Sequence, residues 1–332
     1  MSNFWKDKKV LVTGGAGFIG SHVVEMLVNK NAKVTVIDNL ENSNLENLKK
    51  VRNKIKFIKG DLKKFEEIKK ACQGQEIVLN VAAKVGGIEF NRLHLGTMFR
   101  DNVLMNTNAL EAARLAKVER FLVVSSACVY QRNCTIPTPE SEGFNGVPEL
   151  TNEGYGWAKR MAEIQGRLYA QEFGMKIGIA RPYNAYGPRD HFDPEKSHVI
   201  PALIKRIFDG ENPLVVWGDG EQSRAFLYVE DFARGLLEVI ENYPTADPLN
   251  IGADEEIKIK DLAKLIIKLS GKNSELYFDK TKPTGQPRRS CDNTKAKEKI
   301  GFKVQVNLEQ GIKEAITWYL ESAYFKKHHE AN

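Results

Sequence analysis

The 332-residue sequence has four cysteines, Cys72, Cys128, Cys134 and Cys291, and none of them stands at the spacing of a metal-binding pair. Free thiols suit a reducing compartment, so a cytoplasmic protein without a structural metal is expected. No run approaches the roughly 18–20 apolar residues of a membrane span. The opening Met1-Ser2-Asn3-Phe4-Trp5-Lys6 also has no secretory apolar region. The net charge of +6 comes from scattered lysines such as Lys49-Lys50, Lys63-Lys64 and Lys69-Lys70, and there is no concentrated basic face. Without such a face or a recognition motif, nucleic acid is not an expected partner. A modest positive excess still suits a small molecule that carries phosphate. There is no internal repeat and no low-complexity linker. The remaining composition, 42 % apolar and 28 % charged, excludes a disordered chain and fits one large domain or two closely joined ones.

Short β-branched runs alternate with helical patterns. Lys9–Val12, Lys33–Ile37, Ile55–Lys59, Ile77–Val81, Phe121–Val124 and Ile177–Ile179 are predicted strands. Helices are predicted around Gly20–Asn29, Lys64–Cys72, Asn106–Ala116 and Tyr155–Phe173. Strict alternation with right-handed crossovers implies an α/β fold, a doubly wound parallel Rossmann sheet. After about Arg181 the alternation breaks. A strand at Pro248–Ile251 and helices near 259–270 and 308–322 follow a segment rich in Pro, Gly and aromatics. Residues 1–181, with a return segment at about 227–255, are expected to form the Rossmann domain. Residues 182–226 and 256–332 are expected to form a smaller α/β substrate lobe.

Thr13-Gly14-Gly15-Ala16-Gly17-Phe18-Ile19-Gly20 lies between the first strand and the first helix. Gly14, Gly17 and Gly20 allow a tight turn, close approach of backbone to a pyrophosphate and close helix-to-strand packing. The helix N-terminus then offers N–H groups and a positive dipole end to the phosphates. Asp38, followed by Asn39, ends the second strand, where a carboxylate accepts both ribose hydroxyls and repels a 2′-phosphate; NAD is therefore expected over NADP. Asp61 and Leu62, after the third strand, are placed to flank the adenine.

Tyr155 and Lys159 stand at i and i+4, on one helix face. A free phenol titrates near about 10. An ammonium roughly 4 Å away, at an effective dielectric near 20, contributes about 4 kcal/mol, which makes a phenolate accessible near neutral pH. Ser126, at the end of the fifth strand, can hydrogen-bond the reacting hydroxyl.

The glycine loop, Ser126, Tyr155 and Lys159, together with Arg181-Pro182-Tyr183-Asn184-Ala185-Tyr186-Gly187-Pro188, resemble the extended short-chain dehydrogenase/reductases that act on nucleotide sugars. The resemblance runs to about residue 322. It implies hydride removal from C4 of a sugar, a 4-keto intermediate with acidified C3–H and C5–H, and a homodimer. The 4,6-dehydratases of this group carry Asp-Glu directly after the catalytic Ser or Thr, where this chain has Ala127-Cys128. In an extended segment Cys128 would share the face of Ser126, and a thiol can exchange a carbon-bound proton.

Ser197-His198-Val199-Ile200-Pro201 is similar to the histidine segment of GDP-fucose synthases, and Ala82-Ala83-Lys84-Val85-Gly86-Gly87 matches the same enzymes. Ser125-Ser126-Ala127-Cys128-Val129-Tyr130 is similar to the cysteine segment of those enzymes and of GDP-mannose 3,5-epimerases. The resemblance therefore implies Ser126, Cys128, Tyr155, Lys159 and His198 as catalytic residues, with Cys128 and His198 exchanging protons. It further implies cofactor contacts from Gly14, Gly17, Phe18, Ile19, Gly20, Asp38, Asn39, Asp61, Leu62, Ala82, Ala83, Lys84 and Asn102. Substrate contacts are implied from Gly87, Asn184, Val199, Arg206, Trp217, Arg224 and Arg289, with a GDP-sugar favoured and the arginines clamping phosphates.

The chain departs from each pattern once. GDP-fucose synthases use NADPH for a net reduction, whereas Asp38 suits NAD. GDP-mannose 3,5-epimerases place a lysine where this chain has His198. A retained NAD fits a redox-neutral cycle, so the expected function is an NAD-dependent nucleotide-sugar epimerase on a GDP-hexose or GDP-heptose, working by transient C4 oxidation with exchange at C3 or C5. A 4-epimerase would need neither Cys128 nor His198, and a 4-dehydrogenase or 4-ketoreductase would turn over cofactor. A catalytically silent NAD-sensing module typically loses the Tyr/Lys pair, which is intact here.

Overall fold

A computed structural model describes residues 3–86, 91, 93–193, 197–282, 286–322 and 324–326. Gly87, expected to contact substrate, lies outside them. The predicted strands form as β1 (Lys9–Thr13), β2 (Lys33–Asp38), β3 (Ile55–Lys59), β4 (Ile77–Asn80), β5 (Arg120–Val124) and β6 (Lys176–Pro182). With the later strand Thr245–Ile251 they make one parallel seven-stranded sheet, in the order Thr245–Ile251, β6, β5, β4, β1, β2, β3. β1 and β4 are buried along almost their whole length, which is why they appear in the sequence as continuous apolar runs and not as alternating ones.

Helices cover both faces. On one, α1 (Phe18–Asn29) packs against α6 (Val229–Asn242). On the other, α2 (Phe65–Cys72), α3 (Leu95–Leu115) and α4 (Glu153–Phe173) share a second cluster with the sheet. α3 begins eleven residues before the predicted Asn106. Its inward face carries buried Asp101, Asn102 and Asn106, so the apolar period that marks a helix is interrupted. α6, and the helix α5 (Val199–Phe208) with Pro201 in its first turn, were not anticipated; Pro is tolerated there because the first-turn N–H groups have no intrahelical acceptor.

A separate apolar cluster joins α5 to helices Ile259–Ser270 and Leu308–Glu321, with Tyr186, Tyr228 and Phe192 between them. Beside it, short strands Glu256–Lys258, Ser223–Ala225 and Arg288–Arg289 form a three-stranded sheet. The strand order reverses between β1 and β4, so the crevice for a ligand opens at the carboxyl ends of those strands. Among the described residues, no helix is long and apolar enough to cross a membrane.

Candidate active site

The glycine loop packs too closely on itself and on the segment after β4 to admit side chains at Gly14 or Gly20. Gly14 has φ +65°, and a Cβ there would stand 2.8 Å from the Ala82 Cα; a Cβ on Gly20 would run into the Gly14 carbonyl. Gly17 precedes α1 in extended backbone, and no side chain caps the helix or places an acid in its first turn. The N–H groups of that turn, at Phe18 and Ile19, are thus left to an outside anion. Behind the loop, Thr13 Oγ1 donates to Asn80 Oδ1 at 2.8 Å and accepts the Ala82 N–H at 3.0 Å. Asn80 Nδ2 then donates to Asn106 Oδ1 at 3.1 Å, tying the switch point to α3.

Asp38 is buried and closes the loop from the other side. Its Oδ2 accepts the Ala16 N–H at 3.0 Å, and Oδ1 accepts the Leu40 N–H at 2.9 Å and the Ser43 hydroxyl at 2.6 Å. Asn39 turns to Glu41. Asp61 accepts the Lys63 N–H, and the Leu62 carbonyl accepts from Asn108. Asn102, expected at the cofactor, grips the Lys84 backbone on both sides, accepting from its N–H at 2.9 Å and donating to its carbonyl at 3.0 Å. Lys84 Nζ reaches Asp101. Asn102 therefore holds the segment after β4 in place.

Tyr155 and Lys159 sit one turn apart on α4, with Lys159 Nζ 5.3 Å from the centre of the phenol ring and donating to the Val124 carbonyl at 2.7 Å. The electrostatics differ from the sequence expectation. Burial, with the Cys128 sulfur adding to it, pushes the Tyr155 phenol up, and burial pulls Lys159 down to about 8. Desolvation is the dominant cause for both groups. Cys128 is not in extended backbone either. Ala127–Val129 is a single 3₁₀ turn capped by Ser126, whose Oγ accepts the Cys128 N–H at 3.1 Å. This turn still packs on α4 beside the catalytic pair: a Cβ at Gly156, next to Tyr155, would stand 2.5 Å from the Cys128 carbonyl.

Arg289 donates toward the Cys128 sulfur at 3.7 Å. It is paired in register with Arg224 on the neighbouring short strand. Burial, with Arg289 next to it, pulls Arg224 down to about 10. Two desolvated guanidiniums side by side are a site for an anion. Arg206 is committed elsewhere: it forks onto Glu211 and donates to the Val215 carbonyl at 2.6 Å, so it is not a free phosphate clamp. Trp217 ends a short strand with 53 % of its surface exposed, which rules out a core-filling role. Asn184 is held by the Ala225 carbonyl. His198 caps the N-terminus of α5, just before Val199, and its Nδ1 lies 3.3 Å from Asp190 Oδ1.

The family model for the NAD dependent epimerase/dehydratase family matches residues 10–252. The chain belongs to that family. It is 32 % identical over 98 % of its length to the Oryza sativa subsp. japonica protein named "Probable GDP-L-fucose synthase 1", covering 97 % of that protein. Its fold is similar to a UDP-glucose 4-epimerase of Thermotoga maritima solved with UDP-glucose (TM-score 0.86, 30 % identity, 94 % of this chain and 98 % of that one). It is also similar to a dTDP-glucose 4,6-dehydratase of Streptomyces venezuelae solved with NAD bound (TM-score 0.84, 26 % identity, 95 % and 98 %).

As a member of the epimerase/dehydratase family the chain uses NAD, and its loop fits that cofactor: glycines that let the turn close tightly on itself and on Ala82, an uncapped helix N-terminus and a buried carboxylate after β2. Its site also rests on a buried network that sequence reasoning missed. Arg181 forms a two-pronged pair with Glu163, at 2.8 and 2.7 Å, and donates to the Glu140 carbonyl and the Tyr130 hydroxyl. Glu163 also takes the hydroxyl of Ser125, next to Ser126. The partners are distant in sequence, so no local pattern signals them.

Proposed function

We propose that the protein is a nucleotide-sugar epimerase that acts on a GDP-hexose or GDP-heptose by transient oxidation at C4 and proton exchange at C3 or C5. The observation that carries this reading is the position of Cys128: it lies in the turn capped by Ser126 and packed on α4 at Gly156, next to Tyr155, where a 4,6-dehydratase has a carboxylate pair. NAD, when bound, would supply a reversible hydride acceptor. Gly14, Gly17, Phe18, Ile19 and Gly20 would hold its pyrophosphate, Asp38 and Asn39 its ribose and Asp61 and Leu62 its adenine, with Ala82, Ala83 and Lys84 along the crevice that Asn102 braces.

Ser126 holds the C4 hydroxyl and Tyr155 takes its proton, with Lys159 favouring the phenolate. Once C4 is a ketone, Cys128 and His198 exchange the proton on the neighbouring carbon, one taking and the other giving. Tyr155 then returns its proton to the C4 oxygen, and the balance is an isomerisation without net redox. Residues 182–226 and 256–332 hold the nucleotide sugar. Arg224 and Arg289 face its diphosphate, Trp217 offers a ring to the base, and Asn184 and Val199 line the pocket.

The test is incubation with a panel of GDP- and UDP-sugars in D2O. Deuterium at C3 or C5 without NADH release is the expected result. Cys128→Ser lowers that incorporation about 10²–10⁴-fold. Full turnover by Cys128→Ser would overturn the exchange step and leave simple C4 inversion.

The same reading includes a homodimer. α3 and α4 pack side by side and leave Phe99, Leu104, Leu115, Leu168 and Phe173 exposed, an apolar surface that association would cover. Sedimentation should give twice the chain mass, and Leu104→Lys with Leu168→Lys should halve it. A wild-type chain sedimenting at its own mass at micromolar concentration would remove the dimer.

A further inference from the structure

Asp190 is buried, at 4 % exposure, just before His191. Its Oδ1 accepts the His191 N–H at 2.8 Å and faces His198 Nδ1 at 3.3 Å. Its Oδ2 is buried with no hydrogen-bond partner among the described residues. A carboxylate kept from water needs a charged or donating neighbour. The neighbour here is the imidazole of His198, whose side chain is 55 % exposed. The His198 backbone carbonyl accepts the Ala202 N–H at 3.0 Å, while its side chain makes no capping bond to α5. One ring nitrogen is thus pinned, and the other is free to meet a ligand.

The segment that carries Asp190 is anchored to the cofactor helix. Arg189, at φ +71°, pairs with Glu25 of α1 at 2.6 Å, and His22 of α1 meets the Pro188 carbonyl at 3.0 Å. Burial, with Arg189 nearby, drives His22 down to about 3, so it stays neutral and serves as a fixed strut. Asp190 is therefore fixed relative to the glycine loop and not merely to its own loop.

We propose that Asp190 is a positioning residue for His198: it accepts from Nδ1–H, sets the ring's orientation and tautomer, and leaves Nε2 to exchange the sugar's proton. The proposal rests on the reading of His198 as an exchange group. A carboxylate on Nδ1 fixes which nitrogen faces outward and stabilises the imidazolium form. Desolvation of the part of the ring packed on the protein lowers the His198 pKa, the adjacent Asp190 carboxylate raises it, and the net shift is upward. Among the described residues Asp190 is the charged group whose field reaches the ring; Glu195 and Lys196, close by in sequence, lie outside them.

The test is ¹H–¹⁵N NMR of the histidine rings in the NAD-loaded protein, with the His198 signal identified by its loss in His198→Gln. In the wild type, His198 should titrate above the ordinary value of about 6.5 and carry its neutral-form proton on Nδ1. In Asp190→Asn its midpoint should fall by about one pH unit. Deuterium incorporation should fall about tenfold or more, with its pH profile displaced the same way, and Asp190→Glu should restore part of both. A wild-type midpoint at or below 6.5, or a midpoint unmoved in folded Asp190→Asn, would overturn the proposal. If Asp190→Asn does not fold, the wild-type midpoint and tautomer decide alone. Full incorporation by His198→Gln would instead remove the catalytic reading of His198 while leaving the NMR result for the pair intact.

Discussion

Tyr155→Phe should lower turnover of the sugar substrate about 10³-fold while leaving NAD binding and the thermal midpoint nearly unchanged. The substitution removes one hydroxyl from a half-buried ring and preserves the packing of α4. What is lost is a positioned proton acceptor, and general acid–base groups contribute about 10²–10⁴ in rate. The pH dependence follows from the pair taken together. In the free protein burial holds the phenol up and brings the ammonium down to about 8. Tyr155 and Lys159 therefore carry two protons below about that pH and one above it. Only the one-proton pair can accept the substrate's hydroxyl proton, so kcat should rise with pH along its acidic limb. A positive nicotinamide ring beside the pair moves that limb below 8, measurable as kcat against pH with saturating sugar. A Tyr155→Phe variant that retained more than a tenth of wild-type turnover would remove Tyr155 from the chemistry.

Arg181→Met should cost about 3–5 kcal/mol of stability, the range for leaving a buried charge without its partner. Arg181 and Glu163 are 1 % and 3 % exposed, so water cannot take the place of the missing guanidinium. Asn250 extends the same network, donating to the Thr138 carbonyl at 2.9 Å and accepting the Tyr130 hydroxyl at 2.6 Å. The loss is to be read from urea unfolding of the apo-protein. Restoration by Arg181→Met combined with Glu163→Leu, an apolar pair in the same space, would identify the uncompensated carboxylate as the cause. A loss below about 1 kcal/mol in the single variant would contradict this account.

Much of the sheet was legible because β1, β2 and β4 are buried on both faces, and their sequences are apolar runs bounded by turn residues. The glycine loop was legible because its residues are consecutive and each has one steric reason to be glycine. The start of α3 was not, since Asp101, Asn102 and Asn106 face inward to serve the crevice and so erase the apolar stripe. Arg206 and Arg289 look alike in sequence, yet one is neutralised by Glu211 and the other stands beside Cys128 and Arg224. Arg206 finds its partner five residues on, past the end of α5, whereas the place of Arg289 depends on the register of its strand against Ser223–Ala225, which nothing local encodes. Asp190 was missed because it lies in a segment without periodicity, and its pairing with His198 at the start of α5 appears only once that segment is folded.

The tie between α1 and the Pro188–Asp190 segment limits how the molecule can breathe. Swinging the substrate half away from the dinucleotide half would pull the Arg189 guanidinium from Glu25 where both are largely hidden from water, at 9 % and 19 % exposure. That edge consequently works as a seam, one that stays shut unless an ion pair shielded from water is broken.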